Sequence, residues 1–473
     1  MRMMRVPAPA ATLAAMAALT SVPRRSWAAR FARRQRMKGS LWLVPLCCAI
    51  AGPLLAQLVL ELDDHVTPPG AWRYSESIAS TMLSAIVSAM VGLTGFVVAF
   101  GVLIVQMATQ TLSPRFMRLW YRDGLQKAVL GTFVGTLTFA LAMLRAVEPD
   151  SVPDIGVTIA GLMVTVSVVL FLVYLDRFVH SLRPVAVAWL VADSGARVFA
   201  ETPAHPAPAH VDGTALPVGD PSLVVLSGSA GAIQAIDREG LLATAIRHDC
   251  LLVLPHAVGD IVPHRSELLH VYGTGEPPPA ERLRGMLALG EERTIEQDPA
   301  FALRILVDIA IRALSPAVND PTTACQVLGA IEDMLLLIGE SDLRGRGELR
   351  GDDGRLRVLV GTRSWEDLLQ LALIEIRDYG ASSTQVARRT RALLDQLAAR
   401  VRPEHRAAVF EQMAALDAAL QHVTADPRWR AFAALPDAQG IGGPSEATAR
   451  VALAARESPR SHDEPAPDGA EHR

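Results

Sequence analysis

Lysine is almost missing from this chain of 473 residues. Only Lys38 and Lys127 occur, and residues 184–473 contain none. That absence removes a Walker phosphate-binding lysine, a Schiff-base lysine and a biotinyl or lipoyl acceptor from the C-terminal half. Cysteine is scarce too. Cys47 and Cys48 are adjacent in an apolar run, while Cys250 and Cys325 stand alone, so neither a CxxC metal site nor a disulfide framework is available. A reducing cytoplasm suits the polar half. No Asp, Glu, Lys, Arg or His lies at the middle of any long apolar run, which argues against proton coupling and most ion-coupled carriers. The net charge of −4 points to no polyanionic partner, and nucleic acid is not expected.

What the chain does have is long apolar runs. Leu41–Leu60, Ser80–Met107, Ala128–Val147 and Ile155–His180 are each long enough, at about 1.5 Å per residue, to cross a hydrocarbon layer of roughly 30 Å. They lack period-2 alternation and therefore read as helices rather than barrel strands. Cations set the orientation. Arg24, Arg25, Arg30, Arg33, Arg34, Arg36 and Lys38 precede the first run, and Arg115, Arg118, Arg122 and Lys127 follow the second, whereas Glu61, Asp63, Asp64, Glu148, Asp150 and Asp154 mark the other two loops. The positive-inside rule then predicts both termini in the cytoplasm of a bacterial inner-membrane protein.

The expected organisation is a mainly α membrane protein, a four-helix transmembrane region joined to a cytoplasmic α+β domain. Residues 1–40 read as a basic, disordered extension, with Met37 as an alternative start to Met1. The transmembrane region covers 41–183, a helix and linker 184–221, a small β-rich block 222–274, a helical domain 275–435 and a disordered tail 436–473. Strands are expected at Leu223–Leu226, Ala232–Ile236, Leu251–Leu254, Leu268–Tyr272 and Leu356–Val360, with a helix at Arg238–His248. Asp298-Pro299 and Asp320-Pro321 each place a capping carboxylate before a proline at the first helical position. Ser364 with Asp367 predicts a capping box, and Gly380 a left-handed helix end. The period-4 row Arg304, Asp308, Arg312 reads as a solvated face.

Two separated segments point to a family. Gln110-Thr111-Leu112-Ser113-Pro114-Arg115, continuing into Val129-Leu130-Gly131-Thr132-Phe133-Val134-Gly135-Thr136, and Ala313-Leu314-Ser315-Pro316-Ala317-Val318-Asn319-Asp320-Pro321-Thr322-Thr323-Ala324 resemble the two signatures of the DUF2254 family of predicted bacterial membrane proteins. The resemblance spans about Leu41 to Asp417. It implies four spans and a cytoplasmic domain, and no activity.

Candidate functional residues fall in two groups. In the second apolar run, Ser80, Ser84, Ser88 and Gly92 recur every four residues, and Gln106, Gln110 and Ser113 extend a polar stripe beyond them. Such a face serves close helix packing or, in an oligomer, the wall of a narrow pore. The second group is the loop Ser315, Asn319, Asp320, Thr322 and Thr323, where capping competes with recognition of a small polar or anionic group at a helix N-terminus. His256, Asp260, His264, Glu267 and His270 cluster without a fixed ligand spacing, so no metal site is assigned. Val258-Gly259-Asp260 resembles the turn of small biotinyl/lipoyl-type barrels, which without lysine would serve packing or ligand contact. No catalytic residue and no cofactor is assigned. The leading expectation is a non-enzymatic membrane protein, a homo-oligomer in the lipid bilayer, whose cytoplasmic domain binds a ligand or protein partner. The alternative is an oligomeric channel or simple transport pore lined by the second transmembrane helix.

Overall fold

A computed structural model describes residues 26–63, 65, 73–111, 124–149, 151–181, 183–202, 219–423 and 425–442. The described residues begin with a helix, α1 (Trp27–Gly39), capped by Ser26, whose hydroxyl accepts from Ala29 N. Sequence alone predicts disorder here. The helix forms because Trp27, Ala28 and Phe31 make one apolar stripe that packs on Ala235 and Ala288, and Ala28 N donates to Gly285 O at 2.9 Å. Its cations turn outward: Arg33, Arg34 and Arg36 are exposed.

Four long apolar helices follow: α2 (Leu43–Asp63), α3 (Glu76–Thr111), α4 (Gly124–Arg145) and α5 (Asp154–Ser181). Their shared core holds Ala56, Leu83, Met90, Phe139, Met143 and Val157, while many large apolar side chains such as Leu54, Leu58, Val102 and Leu162 face outward. The tightest approach is α2 against α4. A Cβ on Gly52 would lie 2.7 Å from Gly135 O, and one on Gly131 would lie 3.0 Å from Cys48 Sγ. The GxxxG of the sequence is therefore a packing element. At 36 residues, α3 is about 54 Å long. Its Val105 packs on the core of the second half of the molecule.

That second half starts with α6 (Pro184–Glu201), and its β unit contains two sheets. Strands β1 (Leu223–Leu226), β2 (Gly231–Ile236), β3 (Leu251–Ala257), β4 (Ile261–Val262) and β5 (Glu267–Tyr272) enclose α7 (Arg238–Arg247). After α8 (Ala280–Arg284) come β6 (Leu287–Gly290), and further on β7 (Glu348–Arg350) and β8 (Leu356–Gly361). The orders are β1-β5-β3-β8-β7 and β4-β2-β6. Among the described strand pairs, only β3 and β8 run parallel. The β-rich block is thus not confined to 222–274. It borrows three strands from the later segment, because β2 and β3 would otherwise expose open edges. Two sheets around one core of Val225, Ile236, Leu252, Val271 and Val358 replace the expected barrel.

The helical layer consists of α9 (Pro299–Ala313), α10 (Pro321–Glu340), α11 (Trp365–Gly380), α12 (Thr384–Arg400), α13 (Arg406–Val423) and α14 (Pro427–Ala433). By length and composition, five described helices could cross a membrane: the four above and α10. The fifth was not anticipated. It differs from the others in being enclosed, with Cys325, Val327, Leu328, Ile331, Leu335 and Ile338 buried among α6, α9 and α12. Two further expectations are corrected. Gly380 is not left-handed; the helix closes at Ala381 in the right-handed region, and glycine is required because a Cβ would lie 2.5 Å from Val386 Cγ1. The Arg304 row is not solvated, since Arg304 pairs with Asp308 on its own helix and with Glu375 on α11. The ordered body also continues past residue 436. Asp437, buried, accepts from Gly440 N and Gly442 N, while Arg388 donates to Leu435 O and Gly442 O. Residues 443–473 lie outside the described residues.

Candidate functional site

The loop between α9 and α10 spends its polar groups on itself. Asp320 caps α10, accepting from Thr323 N at 3.0 Å and from the Thr323 hydroxyl at 2.5 Å. Ser315 donates to Arg312 O, and the backbone of Asn319 donates to Ser315 O. Asn319 has φ 48°, a left-handed conformation that asparagine tolerates better than other non-glycine residues. Thr322 is exposed and accepts from Gln385 at 3.4 Å.

The polar stripe of α3 lies on the outside. Ser84, Ser88, Gly92 and Gln106 are exposed, Ser80 is half-buried, and the Ser88 hydroxyl returns to Ser84 O at 2.9 Å. A Cβ at Gly92 would meet nothing within 4 Å. The face that packs on α4 and α5 is a different one, built from Ala79, Leu83, Ile86, Met90 and Val97. The side chain of Gln110 and all of Ser113 lie outside the described residues. The histidine cluster disperses: His256 Nε2 bonds Glu267 O, His270 Nε2 bonds the Glu267 carboxylate, and Asp260 accepts from Arg363 and from Ala257 N. Among the described residues, no three His, Cys, Asp or Glu are grouped to hold a metal.

A different constellation emerges where the β unit meets the helical layer. A cleft of about 100 Å³ is lined by Phe199 of α6, its C-cap Thr202, Arg238, Val258, Asp298, Pro299, Arg346, Val360, Thr362, Arg363 and Leu368. It opens beyond the C-terminal ends of the parallel pair β3 and β8, the usual position for a ligand crevice in such sheets. The N-terminus of α9 also faces it, adding the positive end of a helix.

The floor is a buried ion pair. Asp298 caps α9 by accepting from Phe301 N and takes both Nε and Nη2 of Arg293 on one oxygen, at 3.0 and 2.6 Å. Burial pushes its carboxyl upward against the pull of Arg293. Gly259 sits directly over this pair at φ 96°, and a Cβ there would lie 2.1 Å from Asp298 Oδ2. Only glycine satisfies both the dihedral and the contact.

The walls carry three guanidiniums. Arg363 gives Nη2 to Asp260 at 2.6 Å. Its buried Nε has no hydrogen-bond partner among the described residues, and neither has Nη1 of Arg238. Arg346 lies 3.8 Å from the Phe199 ring centre and donates Nη1 to the carbonyls of Phe199 and Thr202 at 2.9 and 3.2 Å. Burial holds the pKa of Arg238 below its ordinary value. Arg346 is lowered first by burial and then by the charge of Arg238, so the two cations repel each other across the cleft. Sequence reasoning missed this group because its members come from separate segments. One local signal was present: Arg238 occupies the first position of α7 behind its Asp237 cap, where the helix dipole disfavours a cation.

The described parts of both segments that resemble the family are now located; residues 112–115 of the first lie outside the described residues. Gly131 and Gly135 sit at the α2–α4 contact, and Asn319 and Asp320 form the turn into α10. The model of the DUF2254 family, described as a predicted membrane protein, matches residues 38–396. The chain belongs to the DUF2254 family. Similar chains include an uncharacterised protein of Mycobacterium bovis and one of Mycobacterium tuberculosis, each 29% identical over 431 residues, covering 84% of this chain and 79% of the relative. No solved structure matches. The matched segment of the DUF2254 chain contains Arg238, Arg346, Arg363 and Asp298, so the cleft lies within the family region.

Proposed function

We propose that this DUF2254 protein is a four-span protein of the bacterial cytoplasmic membrane that binds a small ligand in the arginine-lined cleft of a cytoplasmic domain. The cleft carries the reading because it joins buried, unpartnered donor groups to the chain that leaves the fourth span. α6 follows α5 directly, and its last carbonyls are held by Arg346. A ligand that engages Arg346 therefore competes with, or reinforces, the anchor of α6. The basic and acidic loops support both termini in the cytoplasm. The enclosure of α10 supports its reading as a core helix and, with that, a count of four spans. Guanidiniums bind anions but do not exchange protons near neutral pH, which favours recognition over catalysis.

The test exploits Thr362, an exposed lining residue. In Thr362→Trp the indole covers the cleft without entering the core. The small-molecule fraction of a bacterial cytosol should raise the melting temperature of the purified wild-type chain and leave that of Thr362→Trp unchanged. Equal responses of the two proteins would remove the cleft as the ligand site.

A second reading keeps the channel. It is favoured by the outward position of Ser84, Ser88 and Gly92, which in a homo-oligomer could meet the same face of neighbouring copies around an axis. Planar-bilayer recording decides it. A conducting protein should change conductance in Gln106→Leu, and a wild-type protein that passes no current under voltage or tension would end this reading.

A further inference from the structure

We propose that the cleft binds a phosphate group, either inorganic phosphate or the terminal phosphate monoester of a larger molecule; this rests on the cleft being the ligand site. Charge comes first. Arg293 is neutralised by Asp298 and Arg363 is engaged by Asp260, whereas Arg238 makes no ion pair among the described residues and Arg346 donates to backbone carbonyls. Arg238 and Arg346 thus face a partly buried space, Arg346 feeling the repulsion of Arg238 more than the opposing pull of Asp342, a carboxylate already paired with Arg344. Such an arrangement is costly unless an anion completes it.

Geometry then selects the anion. A carboxylate presents its acceptor sites in one plane, and a single guanidinium fork takes two of them. Here the guanidiniums of Arg238, Arg346 and Arg363 arrive from three elements, the start of α7, the turn before β7 and the segment after β8. A tetrahedral oxyanion offers acceptors in as many directions. Two donors are already buried without partners, Arg238 Nη1 and Arg363 Nε, and the amides at the start of α9 add a further positive end. Size agrees. A space of about 100 Å³ accommodates a phosphate group but not a nucleotide, given that a cavity of roughly 150 Å³ accepts one benzene. Any larger body must leave through the mouth, past the apolar Val258, Val360 and Leu368.

Two sources share this chemistry, a soluble phosphate and a lipid phosphomonoester headgroup, and calorimetric titration of the full chain separates them. In detergent, inorganic phosphate and glycerol 3-phosphate are the probes, with chloride at equal ionic strength as the control. Wild type should bind at least one probe saturably. Arg238→Gln and Arg363→Gln should each bind roughly tenfold to hundredfold more weakly, the range for losing a charge-assisted hydrogen bond. Arg400→Gln, an exposed arginine paired with Glu340 away from the cleft, should bind as wild type. In nanodiscs of phosphatidylcholine the soluble probes should still bind; if their binding disappears once phosphatidic acid is added, the headgroup is the occupant and the phosphate assignment holds. Far-UV circular dichroism checks each fold, and Arg363→Gln decides if Arg238→Gln unfolds. The proposal is overturned if wild type binds no probe in either setting, or if both arginine variants bind as wild type. Should that occur while Thr362→Trp still abolishes stabilisation by the cytosol fraction, the cleft remains a ligand site for another chemistry; loss of both results removes the cleft itself.

Discussion

Asp298-Pro299 and Asp320-Pro321 are the same local device used in two different surroundings. Each aspartate caps a helix, accepting from the backbone N–H three residues on, and each proline takes the first helical position. Around Asp320 the remaining hydrogen bonds close within the loop, and its second oxygen is taken by Thr323. Around Asp298 the second oxygen takes a guanidinium, the residue is buried, and three more arginines stand along the cleft wall. The cap is therefore uninformative about a site. What distinguishes the two is the charge brought to Asp298 by strands and turns distant in sequence. The loop resembling a family signature is, in this structure, accounted for by its turn, while the cleft is not accounted for by packing.

The largest effect expected from this contrast is that of Asp298→Ala. It removes a cap, worth about 1 kcal/mol, and strands Arg293 beside Arg363. Breaking a buried ion pair costs roughly 3–5 kcal/mol, and Arg293, one quarter exposed, can turn toward water, which favours the lower end. A loss of about 3 kcal/mol in denaturant unfolding of the full chain in detergent is expected. A loss no greater than that of a simple cap would erase the difference between the two helix starts.

Asp320→Ala is the matched substitution and should cost about 1 kcal/mol, within the range for an N-cap. No guanidinium is left behind. The same titration curves measure it, and a cost equal to that of Asp298→Ala would mean that Asp320 has a charged role of its own. Phosphate binding should survive Asp320→Ala unchanged.

The parts of the fold that depend on local patterns were legible. The Asp-Pro starts, the Ser364 and Asp367 capping box, and strands such as Leu223–Leu226 rest on neighbouring residues, and the structure has them where the spacing predicts. The parts that depend on distant partners were not. The N-terminal helix reads as a solvated basic extension until Ala235 and Ala288 are seen beneath it. α10 matches a membrane span in apolarity because a helix buried on all sides and a helix in lipid make the same demand on composition. The α3 stripe was legible as a stripe, but periodicity cannot say whether a face turns toward the same chain or away from it. The cleft was the least legible feature, since only Arg238 breaks a local rule.

Asn319→Ala comes next in size. The backbone at Asn319 is left-handed at φ 48°, a conformation that costs an ordinary L-residue roughly 1–2 kcal/mol and asparagine less. About 1 kcal/mol of destabilisation is expected, and Asn319→Gly should recover most of it because glycine adopts that conformation freely. Rescue by glycine assigns the residue to the turn. Failure of glycine to rescue would point to the amide side chain itself and restore the loop as a site.

Thr322→Val should have the smallest effect and discriminates most cleanly between turn and site. Thr322 is exposed, and its hydroxyl accepts only a long contact of 3.4 Å from Gln385, which also donates to Gly440 O. Valine keeps the branched shape and removes the hydroxyl, so the change in unfolding free energy should fall within about 0.5 kcal/mol, as for surface positions free of special features. If the loop is structural, the stabilisation of this variant by the cytosol fraction should equal that of wild type, because the cleft is untouched. A variant that melts normally yet loses that stabilisation would place a ligand contact on the Thr322 hydroxyl. That result would make the loop before α10, rather than the cleft before α9, the more informative of the two helix starts.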